Sequence, residues 1–307
     1  MRLRCAVGVL AGSASLAACV PAPAPRDGAV QPQPIKPAQA VQPALPAPPA
    51  SRPAGPANFV FEGELEQGGW IRGQVPAGTR SAHLGDQALS PNAEGRFFAG
   101  FDRDAPAQVL LTATLGDGQT IESPVVVRPR DWQIERVNIA RRPGGPSEAF
   151  LRQRAPELAQ ITAARAQRND TAGWRQNFIW PATGRISGRF GSQRIYRGEP
   201  GSYHSGLDIA GGSGTPFVAP ADGVVVLAAA EEFSLEGRLL IIDHGQGLNS
   251  AFLHASSLAV REGETVQQGQ LLGTIGATGR ATGPHLHWSI KWQDARLDPL
   301  LFLPSMP

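Results

Sequence analysis

The sequence predicts a mostly β protein: a small β-sandwich and a glycine-rich antiparallel β domain, joined by a short helical connector. Three observations predict this. Glycine (36) and proline (28) make up about a fifth of the 307 residues, against a usual sum of about 12%, and both punctuate strands and turns rather than helices. Short β-branched and aromatic runs recur between Gly, Asp and Pro clusters on both sides of the chain's middle. Between these regions, from Asp131 to Asn169, the texture shifts to Arg, Glu and spaced apolar residues. The length suits about two domains. With 28 basic and 26 acidic side chains, the chain lacks the cationic excess of a nucleic-acid surface, so no nucleic-acid partner is expected. Two cysteines and six histidines exclude a zinc-finger grid.

Arg2 and Arg4 precede an uncharged run of apolar and small residues from Ala6 to Ala18. The run is too short to span a bilayer comfortably and no stop-transfer pattern follows it, so residues 1–18 read as a signal peptide. Leu16-Ala17-Ala18-Cys19 resembles the lipobox of bacterial lipoproteins. That resemblance implies lipidation at Cys19 and, with Val20 where Asp would mark inner-membrane retention, a lipid anchor in the inner leaflet of the outer membrane. The expected location is therefore the periplasm. Plain secretory cleavage would instead leave Cys19 as a free thiol. Loss of residues 1–18 removes two arginines and no acid, leaving 26 charges of each sign.

Residues 19–57 form a Pro/Ala-rich tether. From Pro21 to Pro56 there are 12 prolines and nine alanines but four charged side chains. Such a segment builds no core and favours polyproline II, reaching on the order of 110 Å at about 3.1 Å per residue. Reach from a membrane is the purpose this composition suits.

Residues 58–129 read as a small β-sandwich accessory domain. Strand-like runs occur at Phe59-Val60-Phe61, Trp70–Val75, Arg96–Phe101 and Val109–Leu115, with Ile121 and Val125-Val126-Val127 after a Gly116-Asp117-Gly118 turn. The pattern resembles immunoglobulin-like accessory domains. His83 has no partner at ligand spacing and reads as a surface-loop histidine. Nothing here carries chemistry, which suits a spacer or docking module. Residues 130–176 read as a helical connector of one or two amphipathic helices. Phe150, Leu151, Leu158 and Ile161 recur at helical spacing, and Pro156-Glu157 suits the start of a second segment. Trp132, Trp174, Phe178 and Trp180 are candidate anchors for it.

Residues 177–307 return to strands: Gly223–Leu227, Arg238–Ile242, Gln270–Ile275 and Leu286–Ile290. Five of the six histidines fall between 204 and 287. His204-Ser205-Gly206-Leu207-Asp208 sets an imidazole and a carboxylate four apart, and His254 stands alone. In His285-Leu286-His287 the period of two puts both rings on one strand face. Imidazole and carboxylate are zinc ligands, and three protein ligands with water define a catalytic site rather than a closed one.

At this point about 120 residues, from Trp180 to Leu300, closely resemble the lysostaphin-like, or LytM-type, peptidoglycan zinc metallopeptidases. The carriers include Gly188-Arg189-Phe190-Gly191, His204–Asp208, Gly214-Thr215-Pro216, Asp243-His244-Gly245 and Ala281-Thr282-Gly283-Pro284-His285-Leu286-His287. The resemblance implies one Zn2+ ion held by His204, Asp208 and His287. It implies His254 and His285 as the catalytic, non-ligand histidines, with their division of labour open, and a structural His244. It also implies hydrolysis of peptidoglycan peptide cross-links, with the D-alanyl-meso-diaminopimelate bond as the expected target. Phe252 stands where the family often has Tyr, which removes a hydroxyl near the centre. The loop Glu231–Gly237 is another individual feature. The alternative is a non-enzymatic LytM-type activator of cell-wall amidases, with an amidase or division proteins as partners; the complete histidine set argues for the enzyme. A wall-binding scaffold with structural zinc is a third reading.

Overall fold

A computed structural model describes residues 55–140 and 144–306. The signal segment, Cys19 and the tether up to residue 54 lie outside the described residues. The N-terminal region forms β1 (Val60–Glu64), β2 (Trp70–Gln74), β3 (Thr79–Leu84), β4 (Gln87–Ala88), β5 (Arg96–Gly100), β6 (Gln108–Leu115) and β7 (Thr120–Val126). These make two antiparallel sheets, ordered β1-β2-β5 and β4-β3-β6-β7, whose inward residues Ile71, Phe97, Leu111, Ala113 and Val125 are fully or almost fully buried. Two details differ from the sequence reading. Ile121 and Val125 share one strand despite Pro124, because β7 is an edge strand where a missing N–H costs no ladder bond. His83 lies on β3, opposite Thr112 and Ala88, rather than in a loop.

The connector departs further. Its first part is extended: β8 (Ile134–Val137) runs parallel to β10 (Gln193–Tyr196). One helix follows, α1 (Glu148–Ala166), capped by Ser147 Oγ accepting the Phe150 N–H at 3.2 Å. Pro156 lies inside α1 and does not start a second helix, although an interior proline forfeits a backbone bond and costs about 3 kcal/mol. Nor is the helix amphipathic in the expected sense. Leu151 and Leu158 are about half exposed, whereas Arg154 and Glu157 are buried. Ion pairing with residues far along the chain explains the inversion, as shown below.

The C-terminal region contains β9 (Ile186–Gly188), β10, β11 (Glu199–Tyr203), β12 (Leu207–Ala210), β13 (Pro216–Val218), β14 (Gly223–Ala228) and β15 (Arg238–Asp243). It continues with β16 (Leu248–Ala255), β17 (Ser257–Leu258), β18 (Thr265–Val266), β19 (Leu271–Thr274), β20 (His285–Trp292) and β21 (Ala295–Leu297). An eight-stranded sheet runs β18-β14-β15-β16-β20-β12-β9, with β21 on β20. The apolar run of β15 is explained by burial on both faces. Leu240 and Ile242 enter the main core, while Leu239 and Ile241 join Ala164 of α1 in a second cluster.

The two β regions share one core. Trp70 stacks on Phe98 and Phe302 at ring distances of 5.9 and 5.4 Å, and its Nε1–H donates to the Leu301 carbonyl at 3.0 Å. Apolar residues from Phe59 to Leu297 belong to a single cluster. The N-terminal region is thus packed against the rest, which differs from a free spacer.

His244 is wholly buried and satisfied at both nitrogens. Its Nδ1–H donates to the Asp222 carbonyl at 2.7 Å, and its Nε2 accepts from Ser250 Oγ at 2.8 Å. Trp288 Nε1–H donates to the same hydroxyl at 3.1 Å. Burial pushes the imidazole down to about 4, from an ordinary 6.5, against smaller opposing effects of Asp222 and Asp243. The unfolded chain therefore binds this proton first as pH falls. The stability His244 contributes is present above pH 6.5 and is lost towards pH 4, amounting to roughly 3 kcal/mol. Urea midpoints measured from pH 7 to 4 should fall less steeply in His244→Gln, by about one proton's worth of slope. An unchanged slope would contradict the neutral, buried assignment.

Candidate active site

Strand register assembles the centre. β12 pairs antiparallel with β20, setting Asp208 opposite His287 and Ala210 opposite His285. β16 pairs with the other edge of β20, setting Leu253 opposite His287. His204 arrives just before β12. Gly188 of β9 passes close behind, and a Cβ there would press on the Asp208 carboxylate and the His204 ring. Gly188→Ala should therefore weaken metal retention by about tenfold or more, read by chelator competition, the range seen when a ligand loses its support. Unaltered retention would show that the backbone gives way.

His204 Nε2 lies 3.1 Å from Asp208 Oδ1 and 3.2 Å from His287 Nδ1, and the last two atoms are 2.8 Å apart. These atoms form the cluster able to hold a metal among the described residues. The donors fit zinc. A tetrahedron with bonds of 2.0–2.1 Å has edges of about 3.3 Å, near the spacings found. His204 is also oriented for it: Nδ1–H donates to the Arg189 carbonyl at 3.1 Å, leaving Nε2 bare. Two nitrogens and one oxygen form a set suited to one divalent ion of intermediate softness.

Electrostatics agree. Burial alone would raise the Asp208 carboxyl, but hydrogen bonds and charge from His204 and His287 overcome it and hold it well below the carboxylate range. Burial opposes protonation of His204, yet the Asp208 partner leaves its pKa raised. On His287 burial prevails and the pKa is lowered.

His254 and His285 stand beside this cluster, their ring centroids 5.0 Å apart. Nδ1–H of His254 donates to the Thr278 carbonyl at 2.8 Å, and Nδ1–H of His285 donates to the Gly283 carbonyl at 2.8 Å. Both rings therefore present a bare Nε2. His285 Nε2 is 3.8 Å from Asp208 Oδ1. His254 is lowered by burial, partly opposed by the Thr278 carbonyl and reinforced by the neighbouring imidazoles, which favours a neutral proton acceptor. Phe252 is fully buried, stacked on Phe217 and Trp288, and brings no polar atom to the centre.

The cluster opens into a groove of about 1330 Å³ whose walls include Gln133, Glu135, Arg189, Tyr196 and Arg280. Gln133 and Glu135 come from the connector. Arg103 reaches the same region from the N-terminal β domain. It is 6% exposed, lies against Trp132 and Tyr203 at 5.2 and 4.7 Å, and donates to the Gly191 carbonyl at 3.1–3.2 Å. Gly191 N–H in turn donates to the His204 carbonyl, and His204 N–H to the Ser192 carbonyl, at 2.9 and 2.8 Å. The N-terminal region thus braces the loop that carries His204. No local pattern around Asp102-Arg103-Asp104 announces this, because the partners lie some 90 residues away.

Residues 202–299 match the family described as Peptidase family M23. The chain is 39% identical over 132 residues to the Lipoprotein NlpD/LppB homolog of Pseudomonas aeruginosa, covering 43% of this chain and 40% of that protein. It is 38% identical over 110 residues to Peptidoglycan DD-endopeptidase ShyA of Vibrio cholerae, covering 34% and 24% respectively. The chain therefore spans less than half the length of these relatives. A crystal structure from Pseudomonas aeruginosa described as peptidase M23 superposes with a TM-score of 0.59 at 29% identity, over 78% of this chain and 94% of that one. That coverage exceeds residues 177–307, so the likeness extends into the region before them.

Proposed function

We propose, from an M23 peptidase-family domain with its His/Asp/His cluster complete, that the chain is a zinc-dependent endopeptidase acting on peptidoglycan cross-links. The observation that carries this reading is the convergence of His204 Nε2, Asp208 Oδ1 and His287 Nδ1 beside two histidines with bare Nε2 atoms, with His204 and Asp208 lining a groove. The D-alanyl-meso-diaminopimelate bond is the target, a reading supported by likeness to a relative named as a DD-endopeptidase. Anchoring through Cys19 at the outer membrane accords with likeness to a relative named as a lipoprotein.

His204, Asp208 and His287 hold the metal in this reading. Bound zinc supplies a Lewis acid that polarises a peptide carbonyl and acidifies water. His254, kept neutral by burial, accepts a proton at Nε2 while Thr278 retains its Nδ1–H. His285, its Nδ1–H held by the Gly283 carbonyl, acts when protonated at Nε2 as well. That N–H donates to the oxygen gaining negative charge and gives its proton to the departing amine, and the proton that His254 takes from water replaces it. The groove walls Tyr196, Arg189 and Arg280 orient an extended peptide across the centre.

Zinc quantification combined with mass analysis of digested sacculi tests the proposal, with and without chelator and with and without an added wall amidase. One zinc per chain and cross-link cleavage without amidase are expected. Undiminished cleavage in chelator would sink the metallopeptidase reading. Fragments released only when amidase is present would replace it with an activator role.

A further inference from the structure

We infer that Arg154, on α1, is a positioning residue for His254, acting through the loop Glu231–Gly237. The inference rests on the reading of His254 as a catalytic group. Arg154 and Glu157 are 9% and 8% exposed, and they point into the protein from the helix face they share with Phe150 and Ile161. Arg154 grips Glu236 with both ends of its fork: Nη1 to Oε2 and Nη2 to Oε1, each at 2.6 Å. Nη1 also donates to Glu157 Oε2 at 2.8 Å. Glu157 in turn accepts from the Ser234 N–H and Oγ–H at 2.7 and 2.6 Å. A planar fork on a carboxylate fixes both distance and angle, which a single point charge does not. The helix thus holds the loop at Ser234 and at Glu236.

That loop is the seat of His254. The Glu236 carbonyl accepts the His254 backbone N–H at 2.8 Å. The Leu235 carbonyl accepts the Arg280 N–H at 2.9 Å, and the Arg238 N–H donates to Thr278 Oγ1 at 2.9 Å. Gly237, at φ +64°, lies so close to Thr278 that a Cβ would collide with it. Thr278 is the residue whose carbonyl receives His254 Nδ1–H. Backbone and ring of His254 are therefore both held by groups fastened to residues 234–238. The demand for such support is evident in the backbone itself: His254 has φ of 64°, a left-handed conformation that non-glycine residues hold only when their surroundings impose it. Breaking the grip on Glu236 should let the loop relax and move the ring from its reacting position, while the donors of the metal, just before β12 and on β12 and β20, stay in place.

The full chain carrying Arg154→Ala should show kcat on purified sacculi about 10- to 100-fold lower, the scale of a misplacement near 1 Å, with KM and zinc content unchanged. Arg154→Lys should recover part of this loss. In ¹⁵N-histidine spectra, His254 should lose its Nδ1–H tautomer signature, a change that a merely stabilising role would not produce. Glu236→Gln keeps the shape and removes the ion pair, so it decides the matter if Arg154→Ala fails to fold. His254→Ala is measured alongside. Wild-type kcat in His254→Ala overturns the catalytic reading and this inference with it. Wild-type kcat in folded Arg154→Ala or Glu236→Gln, beside an inactive His254→Ala, overturns the inference alone.

Discussion

Asp208→Ala is expected to empty the metal site and abolish cleavage of sacculi. The carboxylate is the common partner of the centre: its Oδ1 lies 3.1 Å from His204 Nε2 and 2.8 Å from His287 Nδ1. Alanine removes one of three donors and the only negative charge among them, so two neutral imidazoles remain to offset a doubly charged ion. The loss in affinity should exceed the roughly 10- to 100-fold that follows removal of a ligand's hydrogen-bond partner. Metal analysis after gel filtration should give close to none per chain, against one for the wild type. A thermal melt accompanies the measurement, since Asp208 is partly buried. Full zinc content in a folded Asp208→Ala protein would contradict the ligand assignment.

His285→Ala should separate chemistry from metal binding. The ring shares a strand face with His287, but its Nε2 stands 3.8 Å from Asp208 Oδ1 and it is outside the three-donor cluster. Its removal leaves all three donors where they are. Zinc should stay near one per chain, while turnover of sacculi falls by about 10²- to 10⁴-fold, the usual worth of a positioned proton-transfer group. Loss of zinc together with activity would mean that the division between ligand and catalyst is wrong. The two variants are therefore informative as a pair, because Asp208→Ala loses both properties and His285→Ala loses one.

Local pattern made part of this site legible. In His285-Leu286-His287 the pleat alone puts both rings on one face, wherever the strand lies. Strand runs such as Arg96–Phe101 and Arg238–Ile242 were readable because β-branched and aromatic residues cluster there between turn residues. The failures share a cause. Arg154 and Glu157 belong to the Arg- and Glu-rich connector, where nothing local marks them for burial, yet Glu236 and Ser234 pair with them inside the protein. Pro156 reads as a helix start, yet packing of α1 on β14 and β15 carries it through. In each case a contact made by a distant residue outweighed a preference worth a few kcal/mol or less.

What the sequence by itself determined is chemical: which side chains are available as ligands and proton carriers, and which of them share a strand face. Only tertiary structure decided which donors meet. Asp208 and His287 are 79 residues apart and become neighbours through the β12–β20 register. Arg103 and Gly191, 88 apart, meet through packing of the two β regions, and Arg154 and Glu236, 82 apart, through docking of α1. A residue's functional groups and its alternation along a strand are properties of the chain within a few positions. Register and docking depend on burying a common core, which no short stretch of sequence contains.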